Sequence, residues 1–343
     1  MIRRFAGILL LLALPLLAFA SSIAVLEDFS TLRLNGNGDP LWSPYTGEDP
    51  NQTGSCCAGG FYQVVVGASP SGIYFNFVPH PYNVTGGYAS EQIKSGSWDI
   101  QANRLQFWFY SSISVSRRSD GGSLLEIGTY IRDHASVEPN YQGAHYYHIL
   151  DPNFYASRWH RVILNRQPQH KVGEAAATNW PLDPEFPPNG DQNVHYFDGL
   201  TRWYFDTQGT TGQFANSTWR FTAVTFDKIA NEDDDEISSI VGVYTGTAYE
   251  VTWASKKNTA RTFDIRHRST TMKPSSFSSG TDGGSVSNPN SDYTGCIWTS
   301  PAMAQSSTYF VAIQKQGSSN FTEVEIPVYD PIVAKGRLSL RRR

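Results

Sequence analysis

The stretch "AHYYHILDPNFYASRWHRVILNRQPQH", Ala144–His170, holds four of the chain's eight histidines, with three arginines, three tyrosines and one tryptophan. Its period decides the fold. Side chains on a strand alternate between two faces. In "HYYHIL", His145, Tyr147 and Ile149 fall on one face and Tyr146, His148 and Leu150 on the other. In "RWHRVILN", Trp159, Arg161 and Ile163 oppose Arg158, His160, Val162 and Leu164. Each segment therefore has one apolar and one mixed face. The turn "DPNFYAS" joins them, so the stretch is expected to be two β-strands. His145 and His148 point in opposite directions. Neither His-x-His nor His-x-x-x-His, the spacings that pair metal ligands on a strand or a helix, occurs here.

The same pattern extends outward. "FYQVVVGA", "GIYFNFVP", "NRLQFWFYSSISV", "SLLEIGTYIR", "TRWYFDT" and "STWRFTAVTFDKI" are strand-like runs split by Gly, Asn, Asp and Pro. Helical periodicity is almost absent. Many short strands without intervening helices predict an all-β chain of packed antiparallel sheets. Charged residues make up only 17%, which agrees with sheet and turns rather than helix.

"MIRRFAGILLLLALPLLAFASS" opens the chain. Arg3 and Arg4 form a basic region, Ile8 to Leu17 an apolar one, and Ala18-Phe19-Ala20 a small-x-small cleavage site. This is the pattern of a signal peptide over residues 1–20, too short and wrongly flanked for a membrane span. Cleavage after Ala20 is expected, giving a secreted or periplasmic protein that begins at Ser21 and has no membrane span. Losing Arg3 and Arg4 takes 27 basic residues to 25 against 31 acidic, so the formal net charge falls from −4 to −6. That balance argues against nucleic acid as partner. Three cysteines, Cys56, Cys57 and Cys296, cannot all pair within one chain, so the fold does not rest on a disulfide framework. An adjacent-cysteine ring, two thiols, or one bridge to Cys296 remain open.

Strong strand candidates lie at Ile23–Thr31 and Trp219–Ile229. Pairing this first strand with this last one would close a layer. The arrangement over residues 21–230 resembles a concanavalin A-like jelly roll, the laminin G and lectin-glucanase type. The acidic run "ANEDDDE" follows, and residues 231–236 read as a linker. Beyond it come Val251-x-Trp253, Phe263-x-Ile265-x-His267 and Thr308-Tyr309-x-Val311-x-Ile313. Residues 237–330 resemble a fibronectin type III domain, with a tryptophan on the second strand, alternation on the third and a tyrosine opening the sixth. The resemblance implies two sandwiches able to fold separately. The segment Thr271–Pro301 reads as an enlarged loop, with Ser275–Ser291 as low-complexity linker. Residues 331–343 form a basic tail.

Jelly-roll polysaccharide lyases are similar in placing His, Tyr, Arg and an amide on a sheet face. There Arg and the amide neutralise a uronate, and His or Tyr moves the adjacent proton. The matching candidates are Gln92, His145, Tyr147 and Arg161, with Lys94 and Arg132 nearby. Glu126 stands alone, whereas retaining hydrolysis needs a second carboxylate about 5 Å away. Alternatively, half of these polar residues are sheet positions whose tips meet a partner. For a binding function, "NVHYFDGLTRWYFD" offers Tyr196, Arg202 and Trp203, with His148 nearby, though core positions account for alternate residues such as Trp203 and Phe205 equally. Asn35, Asn37 and Asp39 in "LNGNGDP" offer oxygen ligands suited to a structural calcium, though turn chemistry alone accounts for them equally. No other cofactor is expected. Asn51, Asn83, Asn216 and Asn320 open glycosylation acceptor patterns.

Together these features lead us to expect a secreted, non-catalytic protein that binds a polysaccharide or surface glycan. A glycan-cleaving lyase is the alternative, and a structural or adhesive extracellular protein the third. In the binding case, alanine at Tyr196 or Trp203 should weaken retention more than alanine at His145.

Overall fold

The computed structural model describes residues 23–27, 29, 42–44, 52–56, 59–68, 75–77, 104–117, 125–132, 143–150, 152–165, 170–171, 200–206, 211–227, 237–255, 261–273, 276–288, 296–305 and 308–328. In chain order the strands of the first part are β1 (Ile23–Glu27), β2 (Trp42–Pro44), β3 (Gln52–Cys56), β4 (Tyr62–Val66), β5 (Phe75–Phe77), β6 (Arg104–Ser111), β7 (Leu125–Arg132), β8 (Gly143–Leu150), β9 (Arg158–Asn165), β10 (His170–Lys171), β11 (Leu200–Asp206) and β12 (Thr218–Asp227). Then follow β13 (Ile237–Tyr244), β14 (Tyr249–Ser255), β15 (Arg261–Arg268), β16 (Thr281–Asn288), β17 (Cys296–Thr299), β18 (Tyr309–Lys315) and β19 (Thr322–Ile326). The fold is all-β, as the period of two predicts, and its strands pair antiparallel. Among the described residues, no helix is long and apolar enough to cross a membrane.

Three sheets organise these strands. A nine-stranded sheet runs β17-β14-β13-β9-β6-β12-β4-β3, with β1 also on β12. A six-stranded sheet runs β10-β8-β7-β11-β5-β2, and a four-stranded sheet β16-β15-β18-β19. The expected pairing of first strand with last is present: Ile23 faces Asp227 and Val25 faces Thr225.

Alternation sets the burial. On one face of the main sheet, Tyr62, Val64, Val66, Phe107, Phe109, Val162, Leu164, Trp219 and Phe221 are at most 2% exposed, and Phe29, Phe154 and Phe214 join them. Phe109 meets Trp219 edge-on at 5.1 Å, and Phe214 meets Trp219 at 4.6 Å. Such ring pairs contribute about 0.5–1.5 kcal/mol each beyond their burial.

At β9 the core changes sides. Ile163, on the face opposite Val162 and Leu164, belongs to a second core with Ile240, Val251, Trp253, Phe263, Ile265, Val311, Ile313, Val324 and Ile326. This core lies between β13, β14 and β17 of the main sheet and the four-stranded sheet. Cys296 is a thiol fully buried within it. A bulge in β13, where Ser238 pairs with Ala254 but Val241 with Thr252, puts Ile237 and Ile240 in the same core despite their odd spacing. Ser239, inside the bulge, has φ 50°.

The nine-stranded sheet continues from one part of the chain into the other. From sequence, residues 231–236 separate two sandwiches; those residues lie outside the described set. The strand that follows them, β13, bonds along β9 through Ile240 to Ile163, Val241 to Val162 and Gly242 to Arg161. Removing residues 237–330 would therefore uncover the edge of β9.

Thr271–Pro301 is not simply an enlarged loop. It contains β16 and β17, and much of the expected linker Ser275–Ser291 is the edge strand β16. Glycine is the physical reason for the difference: it weakens a strand on propensity, yet here the strand requires it. Gly284 has φ +82° and donates its N–H to Asp282 Oδ1 (2.9 Å), while a Cβ on Gly283 would lie 3.0 Å from Ile265. The pairing with β15 shifts at this point, between Ile265 and Arg266.

Gly242 supplies a direct test of the second core. A Cβ there would stand 2.9 Å from Ile326 Cγ1 and 3.1 Å from Val324 Cγ2. Gly242→Ala is expected to cost about 1–3 kcal/mol through overpacking, read as a lower urea midpoint at unchanged slope. An unchanged midpoint would mean that β19 does not seat there.

Candidate functional site

The first part of the main sheet keeps one face free of the aromatic core, and register builds a row across it. Gln63 on β4 pairs with Arg220 on β12, Arg220 with Tyr110 on β6, and Tyr110 with Trp159 on β9. The next row on the same face holds Thr222, Trp108 and Arg161. Gln63, Tyr110, Trp159, Arg161 and Arg220 are half-buried, as is Phe61 at the entrance to β4. The turn before Phe61 uses Gly59 and Gly60 with φ +80° and +77°; a Cβ on Gly59 would meet the Phe61 ring at 2.8 Å. Glycine there lets the ring lie over the sheet.

The contacts within this face are those of a cation among rings. The Arg220 guanidinium carbon lies 4.7 Å from the Phe61 ring centre and 4.9 Å from that of Tyr110. Arg220 Nε–H donates to Gln63 Oε1 at 2.9 Å. Tyr110 and Trp159 are 5.4 Å apart, tilted by 53°. Arg161 lies 5.1 Å over the Trp108 ring and donates to Gln106. Tyr110 Oη donates to Ser157 Oγ at 3.3 Å. Neither row contains an acidic residue.

The residues singled out in the sequence are distributed differently. His145 and Tyr147 stand on β8 of the six-stranded sheet, whereas Arg161 is in the nine-stranded one. In the six-stranded sheet, register aligns His145, Tyr130 and Arg202 in one row. Two residues along, on the same face, it aligns Tyr147, Gly128 and Tyr204, with His170 beside Tyr147. Arg132 shares this face. His148 and Trp203 are on the opposite one, the face of Leu150, which is 1% exposed. Gln92, Lys94, Tyr196 and the calcium candidates Asn35, Asn37 and Asp39 lie outside the described residues. Among the described residues, no group of three or more His, Cys, Asp or Glu is placed to hold a metal.

His160 is a core residue. It is fully buried against Phe109, Phe154 and Tyr155, and its Nε2 accepts from the Tyr155 backbone N–H at 3.2 Å. Burial lowers its pKa to about 4, keeping the ring neutral with its proton on Nδ1. The same loop is tied to β14 by the buried Glu250, which accepts from Tyr155 Oη at 2.8 Å and Asn153 Nδ2 at 3.2 Å. Burial, then the bond to Glu250, pushes the Tyr155 phenol well above its ordinary value. In the second core His267 Nδ1 meets Tyr309 Oη at 2.5 Å, and burial lowers its pKa. These groups are bonded parts of the scaffold.

The rows on the main sheet could be found only in part from sequence. Arg220 between Trp219 and Phe221, and Gln63 between Tyr62 and Val64, are polar residues at positions opposite the core. Nothing local says that they become neighbours.

The fold and this face define an all-β protein of packed antiparallel sheets carrying a half-buried aromatic and arginine surface. No family model matches the chain, and no curated protein matches it.

Proposed function

We propose that the protein is an extracellular, non-catalytic glycan-binding protein, with a jelly-roll-like first part and a fibronectin type III-like second part. The observation that carries this is the row Gln63, Arg220, Tyr110 and Trp159 on a sheet face. Trp159 offers ring surface for the apolar side of a sugar, and the amide, guanidinium and phenol offer partners for its hydroxyls. Strands hold such groups more rigidly than loops do. The leader pattern at residues 1–20 supports an extracellular setting. The strand count supports the fibronectin-like part: Trp253 stands on the second of seven strands from β13, and Tyr309 opens the sixth.

Purified full-length mature protein should be retained on at least one insoluble or gelled polysaccharide. Trp159→Ala should weaken that retention about tenfold, equivalent to about 1.4 kcal/mol, and His145→Ala should leave it unchanged. The main effect is expected at Trp159, which is half-buried on the row that carries the proposal. Retention on no glycan would favour a structural or adhesive role instead.

One observation favours a second function. His145, Tyr130, Arg202, Tyr147, Tyr204 and His170 share one face of the six-stranded sheet, and these are residue types able to neutralise a uronate and move its proton. The binding proposal expects no rise in ultraviolet absorbance from alginate, pectate, glucuronan or hyaluronan. A rise abolished in His145→Ala would make that face a lyase site.

A further inference from the structure

We infer that the main-sheet face recognises an anionic glycan, one bearing carboxylate or sulfate groups, with Arg220 as its anchor; this rests on the glycan-binding function proposed above. Arg220 is held before any ligand arrives. Its guanidinium lies 4.7 Å from the Phe61 ring centre and 4.9 Å from that of Tyr110. Its Nε–H is committed to Gln63 Oε1 at 2.9 Å. Among the described residues, no carboxylate pairs with it. The guanidinium carries five N–H donors in a planar fork, so with Nε–H engaged the terminal nitrogens remain. That edge matches two oxygens of a carboxylate or sulfate.

A cation already fixed between rings loses little side-chain freedom on binding. Arg161 stands on the adjoining row, one strand beyond Tyr110, and neither row has an acid to repel the ligand. The chain as a whole carries a formal charge of −4, so this face is a local positive site on an acidic protein. A neutral sugar would use the rings and the amide but leave the cation without a counter-charge.

The test is binding of the full mature chain to immobilised alginate, carrageenan and neutral dextran at low and raised salt. Binding to alginate, to carrageenan or to both is expected to exceed binding to dextran and to fall as salt rises. Preference between alginate and carrageenan distinguishes carboxylate from sulfate as the group recognised. Arg220→Gln should lower the anionic affinity about tenfold or more while leaving the melting transition in place. Arg220→Lys, which keeps the charge but not the fork, should recover part of it. Dextran bound as tightly as alginate and carrageenan, with Arg220→Gln within about twofold of wild type, would overturn the inference and leave glycan binding intact. Equal retention on immobilised DNA would also overturn it, since the face would then be a general polyanion surface. Binding to none of the glycans would sink this inference together with the function on which it rests.

Discussion

Trp253→Ala is expected to lower the stability of the folded chain by about 3–5 kcal/mol, the range for removing a buried tryptophan side chain from a core. Trp253 is 1% exposed on β14. Its ring stands edge-on to Phe263 of the four-stranded sheet at 5.6 Å and 86°, so it bridges the two layers. Across the strand pair it aligns with Cys296, another buried member of the same core. An expected loss of this size is a large part of the roughly 5–15 kcal/mol that holds a domain folded. From sequence alone the damage would stop at residues 237–330. The structure extends it, because Ile163 of β9 packs in the same core. Urea unfolding followed by circular dichroism should show a lower midpoint reaching both parts. A change within about 0.5 kcal/mol, typical of surface positions, would reject the placement of Trp253. Trp253 Nε1 is buried with no hydrogen-bond partner among the described residues. Trp253→Phe is therefore expected to cost less than alanine, since a ring stays and the unpaired N–H goes.

Acid is expected to weaken the fold through His160. Burial holds its pKa at about 4, against about 6.5 in the unfolded chain. The folded-state value is the lower, so between the two the unfolded chain binds a proton that the folded one refuses. The contribution is thus fully present above pH about 6.5, falls as the pH drops, and is lost once it passes about 4. The difference in pKa corresponds to about 3 kcal/mol. His267 is lowered by burial too and acts in the same direction. The His160 share is therefore read as the difference in pH slope between wild type and His160→Gln. Parallel stability–pH curves for the two proteins would show that His160 is not the buried neutral ring described above.

Much of the fold is legible in the chain, residue by residue. "RWHRVILN" divides by alternation into Trp159, Arg161 and Ile163 against Arg158, His160, Val162 and Leu164. Burial follows that division from Trp159 to Val162: Trp159 and Arg161 are half-buried and His160 and Val162 buried, while Ile163 is buried too because a second core covers its face. The join of Ile23–Glu27 to Thr218–Asp227 is also recoverable, because both read as strands and pairing the first with the last closes a layer. "TDGGSVSN" is not recoverable. Its glycines speak against a strand, and only the close packing of Gly283 on Ile265 and the left-handed turn at Gly284 explain them. The histidine strip misleads for a related reason: His145, His160 and His170 are close in sequence, yet β9 belongs to one sheet and β8 and β10 to another.

Local period by itself determined that the chain is all-β, which residues oppose each other on a strand, and that Trp253 and Phe263 belong to a core. Only the tertiary structure decided that one sheet runs past residues 231–236, that the buried face changes sides at β9, and that Gln63, Arg220, Tyr110 and Trp159 stand in a row. The physical reason is register. A strand's alternation is written in its own residues, but the strand it pairs with, and the residue it pairs to, are set by contacts far away in sequence. Arg220 lies 157 residues from Gln63, and their meeting comes from the pairing of β4 with β12 rather than from either segment.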